Sequence, residues 1–203
     1  MRGRELKERG VGLLEGGLWL VGLLPLSLVG LSVVGVVHDW NLISTVPSAV
    51  LRETPTPGLR WLPDGRGGRF EADVEKLRGL VAQVAQRALV EAQHGVMKAD
   101  SVSAKACFWI FSVNPSTGIL ESPIGSECDA RGPMGSALSM ESELEHERSN
   151  ARGIVVGDGE AFVDKVVITG VIVGAEATRL LDPRDTYRFS KSAFAFARQE
   201  VML

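Results

Sequence analysis

The sequence predicts an α+β protein in which a long N-terminal helix, apolar enough to cross a membrane, precedes a head built from a helix and antiparallel sheet. Three observations carry that prediction. No charged residue occurs from Gly16 to Val37. Apolar residues recur at spacings of three and four between Phe70 and Gln93. Two apolar β-type runs, Lys105 to Val113 and Val163 to Val173, come after that helix.

The uncharged run is about 22 residues, which as a helix covers about 33 Å and suffices to cross a bilayer. Lipid offers no partners to backbone N–H and C=O groups, so a single span must be helical. Gly12, Gly16, Gly17, Gly22, Gly30 and Gly35 would weaken that helix in water. In a membrane such residues are common and leave grooves where another helix can approach. Pro25 lacks an N–H and predicts a kink. Arg2, Arg4, Lys7 and Arg9 precede the span, whereas the first basic residue after it is Arg52. The positive-inside rule therefore keeps the N-terminus cytoplasmic and exports the chain from about residue 38. His38, Asp39, Trp40 and Asn41 form the expected far interface, with Trp40 as its belt residue.

Glu15 is the one charge between Val11 and Val37, five residues beyond Gly10. An acid near the bilayer centre costs about 2.5–3.5 kcal/mol on insertion scales, and less near the interface. A plain single-pass anchor gains nothing for that cost. A removable secretory signal peptide would need a shorter apolar core and a small-x-small cleavage motif. Cleavage after Gly10 would instead create an amino terminus at Val11, about one helical turn from Glu15. That amine could pair with Glu15 of its own chain or of a neighbour, and in low dielectric the pair would fix axial register.

At these residues the chain resembles the type IV pilin superfamily, and within it the TadE-type pseudopilins of tight-adherence pili. The resemblance covers roughly the first 40 residues: a basic leader ending in Arg9-Gly10, Val11 to Leu14, Glu15, and a long apolar helix with Pro25. It implies a pilin-like fold, cleavage by a prepilin peptidase after Gly10, N-methylation of Val11 and a role for Glu15 in assembly. Its partners would then be the membrane, the prepilin peptidase and other pilin-type subunits. Its location would be the bacterial inner membrane, with the head in the periplasm. The chain is far longer than a major tight-adherence pilin, which points to a minor pilin or pseudopilin. The alternative is an uncleaved single-pass protein whose exported head binds a ligand or an envelope partner.

The expected organisation is a leader over 1–10, a transmembrane helix over 11–37, a stalk or linker over 38–68 and an α+β head over 69–203. Asn41 to Glu53 continues the helix until Pro47 disturbs it, and the breaker-rich stretch from Thr54 to Gly68 reads as an exposed linker. Phe70 to Gln93 reads as a helix with a buried stripe of Val74, Leu77, Val81, Val84 and Ala88, stopped at His94-Gly95. Lys105 to Val113 reads as a strand ended by Asn114 to Gly118, with Ile119 to Ile124 as its hairpin partner. Gly125 to Gly135 reads as irregular, and Met140 to Arg148 as a solvated helix or loop. Gly153 to Gly159 turns into the second strand, Val163 to Val173, and Tyr187 to Val201 could be strand or helix. Cys107 and Cys128 both fall on the exported side, where an oxidising compartment favours a bridge. Closing a loop of that size contributes about 3 kcal/mol in the chain-entropy model.

Little in the chain suggests chemistry. His38, His94 and His146 lack ligand spacing with one another or with a Cys, so no metal is expected. Gly153 to Gly159 is rich in glycine but lacks the Lys of a phosphate loop. Glu141, Glu143, Glu145 and Glu147 could chelate a cation, although alternating acids are commoner on a solvated face. No nucleophile-elbow pattern occurs. A net charge of −3 gives a nucleic-acid partner no electrostatic support. The expectation is a non-enzymatic protein with no catalytic residues and no cofactor.

Overall fold

The computed structural model describes residues 2–54, 59–62, 69–72, 74–93, 95, 97, 101–114, 117, 119–150, 165–178 and 186–199. Side chains are described except at 2–15, 59–62, 69–72, 150, 165, 178 and 197–199. The layout is α+β and pilin-like. A single helix, α1 (Arg2–Glu53), leads into a head in which a second helix and a four-stranded antiparallel sheet make the core.

Helix α1 is 52 residues long and passes through both Pro25 and Pro47. Its C-terminal part explains why Pro47 does not end it. Val36, Ile43, Val46, Val50 and Leu51 repeat at helical spacing and are all buried against the head. A mid-helix proline costs about 3 kcal/mol, whereas each such aliphatic side chain gains about 1.5–3 kcal/mol on full burial. Packing therefore outweighs the break. Ser44, Thr45 and Ser48 add local bonds, their hydroxyls donating to the carbonyls of Asn41, Leu42 and Thr45 at 2.8–2.9 Å. Residues 38–53, expected in a stalk or linker, thus supply one wall of the head's core.

Beyond α1 the backbone forms a small hairpin of β1 (Leu59–Leu62) and β2 (Arg69–Ala72), within and just after the stretch read as linker. Residues 55–58 and 63–68 of that stretch lie outside the described residues. Helix α2 (Val74–Ala92) follows, so Phe70, Glu71 and Ala72 are strand rather than the start of the helix. Its buried stripe is Leu77, Leu80, Val81, Val84, Ala88 and Ala92, while Val74 at the first turn is exposed. His94 lies outside the described residues.

The sheet contains β3 (Val102–Val113), β4 (Leu120–Arg131), β5 (Lys165–Thr178) and β6 (Thr186–Gln199), in the spatial order β4-β3-β5-β6. All pairings are antiparallel. Strand β4 runs to Arg131, well past Ile124, so most of the segment read as irregular is an edge strand. Tyr187 to Gln199 is strand, and residues 200 and 201 lie outside the described residues. Gly153 to Gly159 and Val163 lie outside the described residues.

Alternation along β3 gives the sheet two buried faces. Ala104, Ala106 and Phe108, with Val171, Val173 and Ala175 of β5, face the helices. There α1 lies over β5 and β6, and α2 over β3 and β4. Trp109, Phe111, Val166, Ile168 and Ile172 face the other way, beneath Leu138, Met140 and Leu144. The last of these sits on α3 (Glu141–Asn150), whose remaining surface is charged. Gly170 has a specific task on that second face: an added Cβ would stand 2.7 Å from the Trp109 ring and 2.8 Å from that of Phe194.

Candidate functional site

The feature most open to a partner is the N-terminal half of α1. Gly16 to Gly35 is exposed or half-buried throughout, with Leu18 72% and Val21 75% accessible, against 0% for Ile43 and Val50 farther along the same helix. The helix is long and apolar enough to cross a membrane. At Gly16, Gly17, Gly22 and Gly30 no atom of the described residues, apart from the adjoining helix backbone and chain neighbours, lies within 4 Å of where a Cβ would stand. Nothing within the head needs their smallness. Leu18, Trp19, Leu23 and Leu26 border an open groove over Gly22. A bare apolar helix with such notches can be solvated by lipid or packed by other apolar helices.

Gly10, Val11 and Glu15 lie on the helical backbone of α1, which sets Glu15 about one turn beyond Val11. Their side chains lie outside the described residues.

The second functional element is the junction where α1 enters the head. Asp39 is 5% exposed, and its Oδ2 accepts the Met97 N–H at 3.2 Å. An added Cβ on Gly95 would stand 1.9 Å from the same oxygen, so glycine is what lets the α2–β3 connection close over the carboxylate. Among the described residues no buried side-chain nitrogen or oxygen lacks a hydrogen-bond partner. This latch was invisible in the sequence, because Asp39 and Met97 are brought together only by tertiary structure. Trp40, expected as a belt residue, stacks on Phe189 of β6 with ring centroids 5.2 Å apart. Tyr187 continues the row, its ring centroid 6.1 Å from that of Phe189.

At the other end of α1, Glu53 forms a two-pronged ion pair with Arg87 of α2, one prong an Arg87 Nη1 to Glu53 Oε1 bond of 2.9 Å. The hydrogen bond from Arg87 holds the Glu53 carboxyl below the usual carboxylate range; desolvation opposes it, and the Arg87 positive charge adds the smallest contribution in the same direction as the hydrogen bond. Thr54 adds a bond to Gln83 at 3.4 Å. Latch and ion pair together tie α1 to the rest of the head at both ends of its buried stretch.

Cys107 and Cys128 are joined in a disulfide. They are directly opposed in the β3–β4 register, Cα atoms 4.1 Å apart, so the bridge clamps the edge strand to the sheet interior. Glu143, His146 and Glu147 of α3 face Lys191 and Phe194 of β6 across a shallow open groove. Among the described residues no three His, Cys, Asp or Glu side chains converge as a metal site. Surface ion pairs such as Arg148–Glu145 and Arg188–Glu176 are exposed and contribute little beyond local order. No family model matches this chain, and no curated protein matches it.

Proposed function

We propose that the chain is a minor pilin or pseudopilin subunit of a type IV, tight-adherence or related secretion filament, held in the bacterial inner membrane by the first half of α1 with its head in the periplasm. The observation that carries this reading is the division of one continuous helix into a bare apolar half and a half buried in an α+β head. A subunit that must be stored in lipid and then packed among like helices needs a helix that is apolar, exposed and indented, and rigidly joined to its head. The unfilled positions over Gly16, Gly17, Gly22 and Gly30 suit close helix–helix approach.

The chemistry of assembly rests on Gly10, Val11 and Glu15. A prepilin peptidase would cut after Gly10, and the freed, N-methylated amine of Val11 would pair with a Glu15 carboxylate once subunits lie side by side. Mass spectrometry and N-terminal sequencing of membrane-extracted protein test this directly. A mature chain starting at methylated Val11 supports it, and Gly10→Ala should block the shift. A wild-type chain retaining Met1 to Gly10 overturns it in favour of an uncleaved single-pass protein with an exported binding head. Glu15→Ala should leave membrane insertion intact and abolish filament assembly; normal assembly by that variant would remove the role given to Glu15.

A further inference from the structure

We infer that the head is seated directly on the membrane surface, with Trp40, Phe189 and Tyr187 at the level of the lipid headgroups. This rests on the membrane-spanning part of the reading above and is independent of cleavage. The bare part of α1, Gly16 to Gly35, is about 20 residues, or about 30 Å of helix, which matches the hydrocarbon thickness of a bilayer. The head begins immediately afterwards: Val36 is already part of its buried core, one residue before the apolar run ends at Val37. No stalk separates the two. If Gly16 to Gly35 fills the hydrocarbon, the end of the head that surrounds Val36 to Trp40 can only lie in the headgroup layer.

The side chains at that end fit the location. Trp40 stacks on Phe189 and Phe189 on Tyr187, giving an aromatic row that leaves the helix about one turn past the apolar run and crosses onto the edge strand β6. Tyr187 is 37% exposed at the start of β6, paired with Ala177, which belongs to the same buried cluster as Val36. Tyr and Trp favour the membrane–water boundary because an apolar ring carries one polar group. Two separate chain segments thus supply one belt. The β3–β4 turn lies at the opposite end of the sheet, about 35 Å away along β3.

The test uses the full chain, with its native disulfide, in phosphatidylcholine vesicles containing either a headgroup-nitroxide or a mid-chain-nitroxide phosphatidylcholine. A fluorophore is placed on a single added thiol in Thr186→Cys, Ile119→Cys or Leu26→Cys. The headgroup quencher should cut emission from the residue 186 label about twofold, as at an interfacial anchor, and leave the residue 119 label unchanged. The mid-chain quencher should act on the residue 26 label. A residue 186 label as insensitive as that at 119, with residue 26 still quenched, overturns the seat and leaves the span standing. Equal quenching at 186 and 119 overturns it by placing the head on its side. An unquenched residue 26 label overturns the span and the seat together. Ser190→Cys, exposed on the same strand, repeats the measurement if Thr186→Cys disturbs β6.

Discussion

The two halves of α1 are one helix in two environments. From Gly16 to Gly35 nearly every side chain is apolar, and all are exposed or half-buried; from Val36 to Leu51 apolar and polar residues mix, and a stripe of Val36, Ile43, Val46, Val50 and Leu51 is buried while Val37 and Leu42 stay exposed. In the first half hydrophobicity runs all round the helix, as a span or an intersubunit core requires. In the second the buried apolar residues line one side, as for any helix packed on a soluble domain. The contrast shows why a single apolar average says little about this helix. Its pattern changes at about Val36, and the role changes with it.

The largest expected difference comes from truncating one buried and one bare residue. Ile43→Ala should destabilise the head by about 2–5 kcal/mol, because it opens a cavity in a closed core. Leu20→Ala, on the exposed half, should leave the head's unfolding midpoint unchanged in detergent-extracted protein. Denaturant titration followed by near-UV circular dichroism reads both; equal shifts would break the division of the helix.

A smaller effect is expected at the Asp39 latch. Gly95→Ala forces a Cβ into the Asp39 carboxylate and should cost about 1–3 kcal/mol in the same titration. Gly79→Ala is the sharpening control. It lies within α2, where among the described residues nothing but the adjoining helix backbone and chain neighbours comes within 4 Å of an added Cβ, and should stabilise by about 0.5–1 kcal/mol. A Gly95→Ala protein as stable as the parent would mean that the latch does not fix α1 to the head.

The smallest effect belongs to the exposed Glu53–Arg87 pair. Since folding lowers the Glu53 pKa, its contribution is fully present above the ordinary carboxylate value and is lost as pH falls through the lowered folded value. Glu53→Gln should therefore lower stability slightly at neutral pH and make no difference in strong acid. A stability gap between the two proteins that persists in strong acid would assign the effect to packing instead of charge.

Much of this architecture was legible from apolar runs and one periodic stripe. The span and the strands β3 and β5 are near-continuous apolar runs, and α2 carries apolar residues at helical spacing. The bridge between Cys107 and Cys128 followed from compartment alone. What escaped notice lacks period or depends on distant partners. Strand β4 carries Pro123, Gly125 and Ser126 and is almost wholly exposed, so no alternation marks it; its pairing with β3 makes it a strand. Pro47 reads as a breaker until the packing of its neighbours is known. Trp40 stood out in the sequence, but its stacking on Phe189, and that of Phe189 on Tyr187, joins residues too distant in sequence to be read there. The roles proposed for Gly10, Val11 and Glu15 rest on the sequence pattern.

The absence of a break in α1 between its bare and buried halves also governs the azimuth of the head. Successive residues of a helix point about 100° apart, so turning the span by one residue swings the head through more than a quarter of a circle. A neighbouring helix that selects which face of Gly16 to Gly35 it will touch therefore selects which side of the head it will meet. In an assembly of such subunits the choice made among apolar side chains inside would be displayed, without slack, as the pattern of heads outside.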